Sequence, residues 1–430
     1  MSPRALALEI WTAALAAGDV TPLVQRALAS PEIATALASA RRVIVLGCGK
    51  ASAAMAAAAE EALGDRIAIG FVVVKDGYRA PTRRVEIAEA GHPVPDARGE
   101  AAASRLVALA AEARADDLVL LLVSGGGSAL TPAPAPPVTL AEKQALTRGL
   151  LRAGATINEL NAVRKHLSRF KGGQLARSAA PARVLTLALS DVIGDPLDVI
   201  ASGPTAPDVS TFGEALGVLE RRQVRATAPA SVVARLEAGA RGEIPETPKP
   251  GDPVFQRVTN VVIGNNALVV DAAAARGRAL GLAPAILTRQ LEGEAREVAR
   301  SFVTRAQQLA PGGCLVDGGE TTVTVRGSGR GGRCQEFALA AAMAMEGIDD
   351  LAVLAAGTDG TDGPTDAAGG IADGGTIGRG RARGLDPAAS LADNDAFGFL
   401  HAAGDLVVTG PTHTNLLDVY IALRAPLPRE

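Results

Sequence analysis

Residues 118–128 read LVLLLVSGGGS, six consecutive apolar residues that stop in three glycines flanked by serines. An uninterrupted apolar run of this length is typical of a strand buried on both faces, as strands of parallel sheets are. Further apolar runs stop in polar, glycine-rich turns ahead of mostly Ala-rich stretches, and they occupy residues 42–46, 184–189, 261–263, 314–316 and 351–355. Strands that alternate with helices in this way predict an α/β fold built on a parallel, doubly wound sheet.

The six polar turns all follow the carboxyl ends of their predicted strands, which is where ligands bind in sheets of this type. A single glycine-rich turn could be no more than a strand-to-helix connection. Six such turns on the same side of their strands favour a ligand site.

The length of 430 residues exceeds what one ordinary hydrophobic core supports, so two domains are expected. Residues 241–253 read RGEIPETPKPGDP, and their proline and charge content without periodicity predicts a linker. We therefore expect an α/β domain over residues 1–240 and a second α/β domain over residues 254–430, with the active site in the cleft between them. The last segment could instead pack back on the first domain.

Composition excludes several classes of function. The net charge is −3 with no basic block, which argues against nucleic acid as a partner. The three cysteines, Cys48, Cys314 and Cys334, are odd in number and far apart. We therefore expect neither a disulfide framework nor a zinc site, and we expect the protein to work in a reducing cytoplasm. Residues 1–20 predict an amphipathic helix rather than a signal peptide, and we expect no membrane-spanning segment.

The segment GCGKAS at residues 47–52 places a lysine, Lys50, at the opening of a predicted helix. It is not a P-loop, because Ile44 and Ala51 stand where that motif needs Gly and Ser or Thr, and Ser52 replaces the third glycine of a dinucleotide fingerprint. A solvated lysine is the alternative, but backbone N–H groups and an ammonium together favour an anion. The predicted phosphate-binding residues of this turn and of the next glycine-rich turn are Gly47, Gly49, Ser124, Gly125, Gly126, Gly127 and Ser128.

Aspartates recur in two of the other turns, Asp191 and Asp195 in one and Asp359 and Asp362 in the other. The spacing of an EF-hand and its final glutamate are absent. Acids opposite phosphate-binding loops instead indicate Mg²⁺, which needs one or two carboxylates besides substrate phosphates. One aspartate could also accept the proton of an attacking hydroxyl.

Other polar positions fall in the same pattern. Asn161 and Lys165 share one helical face, although a polar stripe is usually the wet side of a helix. Arg333, on a glycine-rich loop, is suited to clamp the three oxygens of a transferring phosphoryl group. Further predicted ligand-binding residues are Gly318, Gly319, Glu320, Thr358, Asp359, His413, Thr414 and Asn415, although His413 could be an ordinary turn residue.

Long motifs extend this interpretation, among them GCGKASAAM, SGGGSAL, INELNAVRKHLSRFKGGQLA, GTDGTDGPTDAAGG and TGPTHTNLLD. In this order, from about Gly47 to the C-terminus, the chain resembles the type-2 glycerate kinase family, whose C-terminal module is the MOFRL domain. The resemblance implies a Rossmann-like N-terminal domain, ATP and Mg²⁺ as cofactors, and D-glycerate phosphorylated at its 2-hydroxyl. It also implies that Lys50 and Arg333 are a catalytic pair, and that Asp191 and the Asp359/Asp362 loop are metal and substrate positions.

Two other functions stay open at this point. Some members of the family have been named hydroxypyruvate reductases, which would use NAD(P)H. A nucleotide-sensing module without catalysis would bind ATP and not turn it over. For the quaternary structure, a homodimer is the base-rate expectation.

Overall fold

The structure of the protein is a computed structural model that describes residues 1–426. The strands found in that range are β1 (Val43–Cys48), β2 (Ile67–Lys75), β3 (Val85–Ala90), β4 (Leu118–Val123), β5 (Arg183–Leu189), β6 (Val258–Gly264), β7 (Ala283–Ala285), β8 (Gly313–Gly319), β9 (Leu351–Gly357), β10 (Gly369–Asp373), β11 (Leu406–Val407) and β12 (Asp418–Arg424). Apart from Arg42, which precedes β1, the six predicted apolar runs lie in strands, namely β1, β4, β5, β6, β8 and β9.

The α-helices of the described residues are α1 (Pro3–Ala17), α2 (Val20–Ala29), α3 (Pro31–Ser39), α4 (Ser52–Leu63), α5 (Ala97–Ala111), α6 (Gly127–Leu130), α7 (Leu140–Arg152), α8 (Ile157–His166), α9 (Gln174–Ala179), α10 (Phe212–Arg221), α11 (Ala230–Ala240), α12 (Asn266–Ala279), α13 (Ala295–Ala306), α14 (Arg333–Ala344), α15 (Thr376–Arg381), α16 (Pro387–Ala392) and α17 (Ala396–Ala403). Short 3-10 helices cover Gly64–Arg66, Ile200–Ser202, Arg225–Thr227 and Pro253–Arg257.

The first compact unit comprises Val20–Ser190 and Asp195–Ile263. Its sheet has the strand order β3-β2-β1-β4-β5-β6, and the pairs β3–β2, β2–β1, β1–β4 and β4–β5 are parallel. This is the strand order of dinucleotide-binding sheets, so the Rossmann-like prediction is confirmed. The order reverses between β1 and β4, and the crevice beyond the carboxyl ends of these two strands is the usual ligand position.

Burial explains why these strands are continuous apolar runs. Every residue of β1 and β4 is buried, because helices cover the sheet. Beside the sheet, α7, α8, α10 and α11 form a helical layer around their own apolar cluster, which includes Leu146, Leu160, Phe212 and Leu236. That layer fixes the positions of the polar side chains that α7 and α8 carry.

The second compact unit comprises Met1–Asp19, Asp191–Gly194 and the residues from Gly264 onward. Its sheet has the order β11-β10-β9-β12-β8-β7. Only β7–β8 is parallel, whereas β8–β12, β12–β9, β9–β10 and β10–β11 are antiparallel. The α/β fold is as predicted, but the parallel pairing that the apolar runs indicated does not extend through this sheet. One reason is β12, which inserts between β8 and β9 and pairs antiparallel with both, so that those two strands run in the same direction without being neighbours.

The compact units differ from the predicted domain ranges. Helix α1 belongs to the second unit, and β6 completes the first sheet. The predicted linker 241–253 lies inside the first unit, where the Thr247 hydroxyl donates to the buried Asp208 carboxylate and the Asp208 amide donates to the Pro248 carbonyl.

Residues Pro3–Ala29 are the one stretch of the described chain with the length and mean hydropathy, 1.2, of a membrane span. In α1, Leu6, Ile10 and Trp11 are buried in the protein. A core helix meets the same criteria, so this stretch carries no membrane assignment.

Candidate active site

In the first unit, the loops that follow β1 and β4 are joined at the point where the strand order reverses. The Lys50 amide donates to the Gly125 carbonyl at 2.8 Å, and the Ser124 amide donates to the Cys48 carbonyl at 3.1 Å. The Ser124 hydroxyl accepts the Ala51 amide at 2.9 Å and is buried. Lys50 therefore stands just before α4 on a backbone that the second loop holds, and the Ser124 hydroxyl fastens the two loops together.

Two of the predicted phosphate-binding glycines have a clear packing reason. Gly49 has a φ of +134°, and a Cβ there would lie 2.3 Å from Ser124 Oγ. Gly47 lies within β1, and a Cβ there would lie 2.6 Å from the Leu122 carbonyl oxygen. A larger residue at Gly49 would push the two loops apart, and one at Gly47 would push β1 away from β4, so these glycines set the geometry of the turn.

A chain of hydroxyl groups links the glycine-rich loop to the loop after β5. Ser202 Oγ donates to Asn161 Oδ1 at 3.2 Å and lies 2.9 Å from Ser128 Oγ. Because Ser202 has one hydroxyl hydrogen, Ser128 donates in the second bond. Ala201 and Ser202 have φ angles of +50° and +60°, which costs roughly 1–2 kcal/mol per non-glycine residue. Such strain concentrates at functional sites.

The helical spacing predicted that Lys165 and Asn161 lie on one face of α8 and bind the same ligand. In the structure, the two side chains have different partners. Its Nζ lies 3.2 Å from an Asp198 oxygen and 3.3 Å from an Asp208 oxygen, and its side chain is buried. Burial opposes ionisation of Asp208, but the Lys165 charge and the Ser210 hydroxyl hold the pKa of Asp208 below its usual value. Lys165 is therefore engaged in a buried ion pair, which accounts for it without a ligand.

Beside the glycine-rich loop the first unit has a pocket of about 420 Å³. It is bordered by the loop after β3, by the α6 turn and by α7 and α8. Four cationic side chains line it, Lys143, Arg148, Arg164 and Lys171, and none of the described lining residues is acidic. None of these four was predicted as a site residue.

The two lysines of the pocket are buried against backbone carbonyls. Lys143 Nζ donates to the carbonyls of Pro132 and Leu167 at 2.7 and 3.1 Å, and Lys171 Nζ donates to the Ser128 carbonyl at 2.7 Å. Burial lowers the pKa of Lys143 well below its usual value. Burial, reinforced by repulsion from a neighbouring arginine, lowers the pKa of Lys171 to about 7. An anion in this pocket would favour the charged form of both.

In the second unit, Arg333 is held by two carboxylates at the start of α14. Its Nε and a terminal nitrogen donate to the two oxygens of Asp418 at 2.5 and 2.9 Å, and the other terminal nitrogen lies 2.9 Å from Glu320. Asp418 is fully buried and also accepts the Tyr420 hydroxyl at 3.1 Å. Burial would lower the pKa of Arg333, but the adjacent Asp418 charge outweighs it and raises that pKa.

The strand register explains this cluster. Asp418, the first residue of β12, lies opposite Gly319 at the end of β8 and Gly357 at the end of β9. Glu320 follows β8 directly, and the Thr358 turn follows β9 directly. The antiparallel insertion of β12 thus brings its acid to the same edge as the two glycine-rich turns.

Asp362, predicted as a metal ligand, caps α14 instead. Its two carboxylate oxygens accept the amides of Cys334 and Gln335 at 3.2 and 2.8 Å, and the side chain is buried. A Cβ at Gly332 would lie 2.2 Å from the carboxylate, so the backbone closes over it. Burial raises the pKa of Asp362 to about 7. These contacts leave Asp362 poorly placed for a metal ion.

The turn after β9 is tied to the turn before β12. The Thr358 hydroxyl donates to the Leu417 carbonyl at 2.8 Å and accepts the Leu416 amide at 2.7 Å. The Thr412 hydroxyl donates to the Thr358 carbonyl at 2.5 Å, and Asp359 Oδ1 accepts the Thr361 amide at 3.0 Å. Thr358 therefore has a structural role that explains its burial.

The remaining predicted site residues differ in their hydrogen bonds and backbone conformations. Asn415 Nδ2 donates to Asp191 Oδ2 at 2.9 Å, which brings two predicted site residues together. The Thr414 hydroxyl is buried without a hydrogen-bond partner among the described residues, and His413 occupies a left-handed turn position with a φ of +59°. Asp195 is half-buried and also left-handed, with a φ of +56°.

Gly318 and Gly319 are explained by packing. A Cβ at Gly318 would lie 1.8 Å from Asn266 Oδ1, and one at Gly319 would lie 2.3 Å from the Leu291 amide nitrogen. Both glycines let neighbouring segments approach β8 at backbone distance.

No group of three or more His, Cys, Asp or Glu side chains in residues 1–426 is arranged to hold a metal ion. Mg²⁺ bound with a nucleotide needs only one or two carboxylates. Asp191 and Asp359 are half-buried carboxylates at the predicted turns, and they suit that ion better than Asp362 does.

A lysine at the switch point of a Rossmann-type sheet and an arginine fixed by a buried carboxylate, each beside glycine-rich turns, define an α/β enzyme of the phosphoryl-transfer class. Residues 6–237 match the family described as a domain of unknown function, DUF4147, and residues 313–418 match the MOFRL family.

Known proteins are similar in sequence to most of this chain. A D-glycerate 2-kinase from Thermotoga maritima is 45% identical over 390 residues, which cover 89% of this chain and 90% of that protein. The crystal structure of a glycerate kinase from the same organism superposes with a TM-score of 0.88 at 42% identity, covering 98% of this chain and 99% of that one. A protein from Agrobacterium vitis with the provisional name hydroxypyruvate reductase is 44% identical over 88% of this chain and 86% of its own length. The chain belongs to the glycerate kinase family, as its motifs predicted.

Proposed function

We propose that this chain transfers the γ-phosphate of ATP to the 2-hydroxyl of D-glycerate and releases 2-phosphoglycerate and ADP. The observation that carries the proposal is the 45% identity, across both compact units, to a D-glycerate 2-kinase. The chain is accordingly an ATP-dependent glycerate kinase. The choice of the 2-hydroxyl as the group phosphorylated is the more specific part of the proposal.

The reaction is a direct in-line transfer. The glycerate hydroxyl oxygen forms a bond to the γ-phosphorus as the bond from that phosphorus to the β–γ bridging oxygen breaks. The hydroxyl proton passes to a carboxylate, for which Asp191 is the candidate. Its hydrogen bond from Asn415 fixes the orientation of that carboxylate.

Lys50 has the role of neutralising phosphate charge. It stands just before α4 after a turn fixed by Gly49 and by the hydrogen bond to Gly125. The ammonium group and the first amides of the helix favour a phosphate in the same place. Loss of one such contact is expected to reduce turnover by roughly 10²–10³-fold.

Arg333 has the role of stabilising the transferring phosphoryl group. Its guanidinium is already oriented by Asp418 and Glu320, so no reorientation is needed when charge develops. The side chain is one-third exposed, which leaves an edge of the group accessible to a ligand.

Mg²⁺ would be held by Asp359 together with phosphate oxygens, which leaves Asp191 available for the hydroxyl proton, and it would supply charge neutralisation for the β- and γ-phosphates. The Asp191 carboxylate accepts a hydrogen bond from the Asn415 side-chain amide, and the Asp359 carboxylate accepts one from the Thr361 backbone amide. We further propose a cytoplasmic enzyme that acts as a homodimer.

The structure offers a reductase little support. Asp76, the acid that directly follows β2, is the candidate for binding a ribose hydroxyl. It is paired with Arg98 through two hydrogen bonds of 2.7 and 2.8 Å. Ser52 also stands where a dinucleotide fingerprint has its third glycine. The name carried by the Agrobacterium relative is therefore a weaker guide than the kinase names.

The test is a coupled assay on the purified full chain. We expect ADP release that depends on D-glycerate, and phosphorus NMR of the product should show 2-phosphoglycerate. Hydroxypyruvate with NADH or NADPH should give no loss of nicotinamide absorbance. ATP binding without glycerate-dependent turnover would contradict the kinase assignment, and 3-phosphoglycerate as product would contradict only its regiochemistry.

A further inference from the structure

The pocket beside the glycine-rich loop of the first unit has the size and shape of a ligand site. Its volume of about 420 Å³ falls within the roughly 300–1,000 Å³ typical of small-molecule pockets. The pocket is lined by residues 92–95 of the loop after β3, by Gly126 and Ser128 of the glycine-rich loop, and by residues of α7 and α8. The whole pocket lies within the first compact unit.

The charge of the pocket selects an anion. The side chains of Arg148 and Arg164 line it and make no hydrogen bond or ion pair with any residue of the described range 1–426. Arg164 is largely shielded from water, and that burial lowers the pKa of its guanidinium. A desolvated cation without a partner is costly unless a ligand supplies the opposite charge. A bound anion would also favour the charged forms of Lys143 and Lys171, so the pocket can offer positive charge to more than one phosphate group.

The outer part of the same pocket is apolar. Pro93, Val94, Pro95, Leu140 and Leu151 line it. Val94 and Leu151 are 63% and 55% exposed, so a bound ligand could cover both. Glycerate has no group that would benefit from this surface, whereas the planar base of a nucleotide would cover it.

Gly126, which lines the pocket, lies next to Lys50. A Cβ at Gly126 would lie 3.0 Å from His92 Nε2 and 3.5 Å from Lys50 Cγ. Gly126 is left-handed with a φ of +81°, so any side chain there would be strained and would press on His92. The glycine lets the pocket lining lie directly beside Lys50.

We propose that this pocket binds the adenosine nucleotide, with the base against Val94 and Leu151, the phosphates against Arg148 and Arg164, and the terminal phosphate directed past Gly126 to Lys50. This assignment rests on the proposed kinase function, because it names the subsite that the phosphoryl donor occupies.

The experiment is isothermal titration of the purified full chain with ADP, alongside steady-state kinetics. Arg148→Ala and Arg164→Ala should each raise the dissociation constant of ADP about 10- to 100-fold, since each removes a charge-assisted hydrogen bond. Leu151→Asp should raise it as well, because it places a carboxylate at the mouth. Arg152→Ala is the matched control: Arg152 is exposed on the same helix and does not line the pocket.

In the kinetics, the KM for ATP should rise in parallel and the KM for D-glycerate should stay within about twofold. Unchanged ADP affinity in Arg148→Ala, Arg164→Ala and Leu151→Asp, with thermal unfolding midpoints equal to that of the unsubstituted chain, would overturn the proposal. A raised KM for glycerate with normal ADP affinity would overturn it too, since the pocket would then hold the acceptor.

If the kinase assignment is wrong but the pocket still binds the nucleotide, the measurements give a different set of results. In that case ADP still binds and the Arg164→Ala variant still loses affinity, but no glycerate-dependent ATP consumption occurs. Should Arg164→Ala fail to fold, the exposed Arg148→Gln and Leu151→Asp variants carry the same test.

Discussion

The substitution Asp418→Asn tests whether Arg333 is a preorganised group. It removes one negative charge and replaces one acceptor oxygen with an amide donor that faces the guanidinium. Asp418 is fully buried and accepts two guanidinium hydrogen bonds as well as the Tyr420 hydroxyl. The remaining carboxylate near Arg333, that of Glu320, has a 43% exposed side chain. The buried partner is therefore the stronger restraint.

Breaking a buried ion pair by removing one partner costs about 3–5 kcal/mol. For a unit of this size, each kcal/mol shifts the thermal midpoint by about 2–4 °C, so the midpoint should fall by roughly 6–20 °C. Glu320→Gln is the matched control on the same guanidinium. It should cost no more than about 1 kcal/mol, because the pair it breaks is exposed to solvent.

The measurements are thermal unfolding followed by circular dichroism, and turnover at a temperature where both variants are fully folded. We expect Asp418→Asn to lower kcat toward the value of Arg333→Ala, because the guanidinium is no longer fixed. Equal midpoints for Asp418→Asn and Glu320→Gln would refute the reasoning about the buried pair. A normal kcat in folded Asp418→Asn would refute the preorganisation of Arg333.

Lys50→Ala should lower turnover by roughly 10²–10³-fold with an unchanged thermal midpoint; near-normal turnover would remove Lys50 from the mechanism. Burial raises the pKa of Asp362 to about 7, so the folded chain keeps a proton that the unfolded chain releases, and stability should fall as pH rises from about 4 to 7. Urea titrations of Asp362→Asn should show a flatter profile over that window, and parallel profiles would contradict this. The pKa of Lys171 is lowered to about 7, so stability should rise with pH above 7, a rise that Lys171→Met should lack in the same titrations.

Much of the first unit could be predicted because its signals are local. The apolar run at residues 118–123 is β4 with the same bounds, and the position of Lys50 after the first strand follows from the turn chemistry alone. Burial on both faces makes such strands visible as continuous apolar runs. The second sheet was harder, because β12 ends at Arg424 without a glycine-rich turn and its antiparallel insertion depends on long-range pairing.

Side-chain roles were less predictable than strands. On α8, helical spacing singled out Lys165, yet its partners Asp198 and Asp208 lie 33 and 43 residues further along the chain. Its neighbour Arg164 lines the pocket instead. Spacing identifies which residues share a helical face, but only the tertiary structure shows which face meets an acid and which meets a cavity.

Asp418 shows the same limit. It stood within the quoted motif TGPTHTNLLD, but nothing local distinguishes it from a residue that begins an ordinary strand. Its importance arises from the register that places it opposite Gly319 and Gly357 and beside Arg333. The role of a buried acid at the start of a strand can be assigned only when its cationic partner is known, and here that partner, Arg333, is 85 residues away in the sequence.

The central position of β12 also sets the order in which the units can form during synthesis. The first unit is complete once Ile263 has left the ribosome, so its sheet can close while the rest of the chain is still being made. The second sheet stays split until Arg424 emerges, because β8 and β9 have no shared partner before then. Helix α1 is made before α12, β9 and β12, and it packs against all three. Its buried face, with Leu6, therefore stays exposed to solvent or chaperones until those elements have emerged.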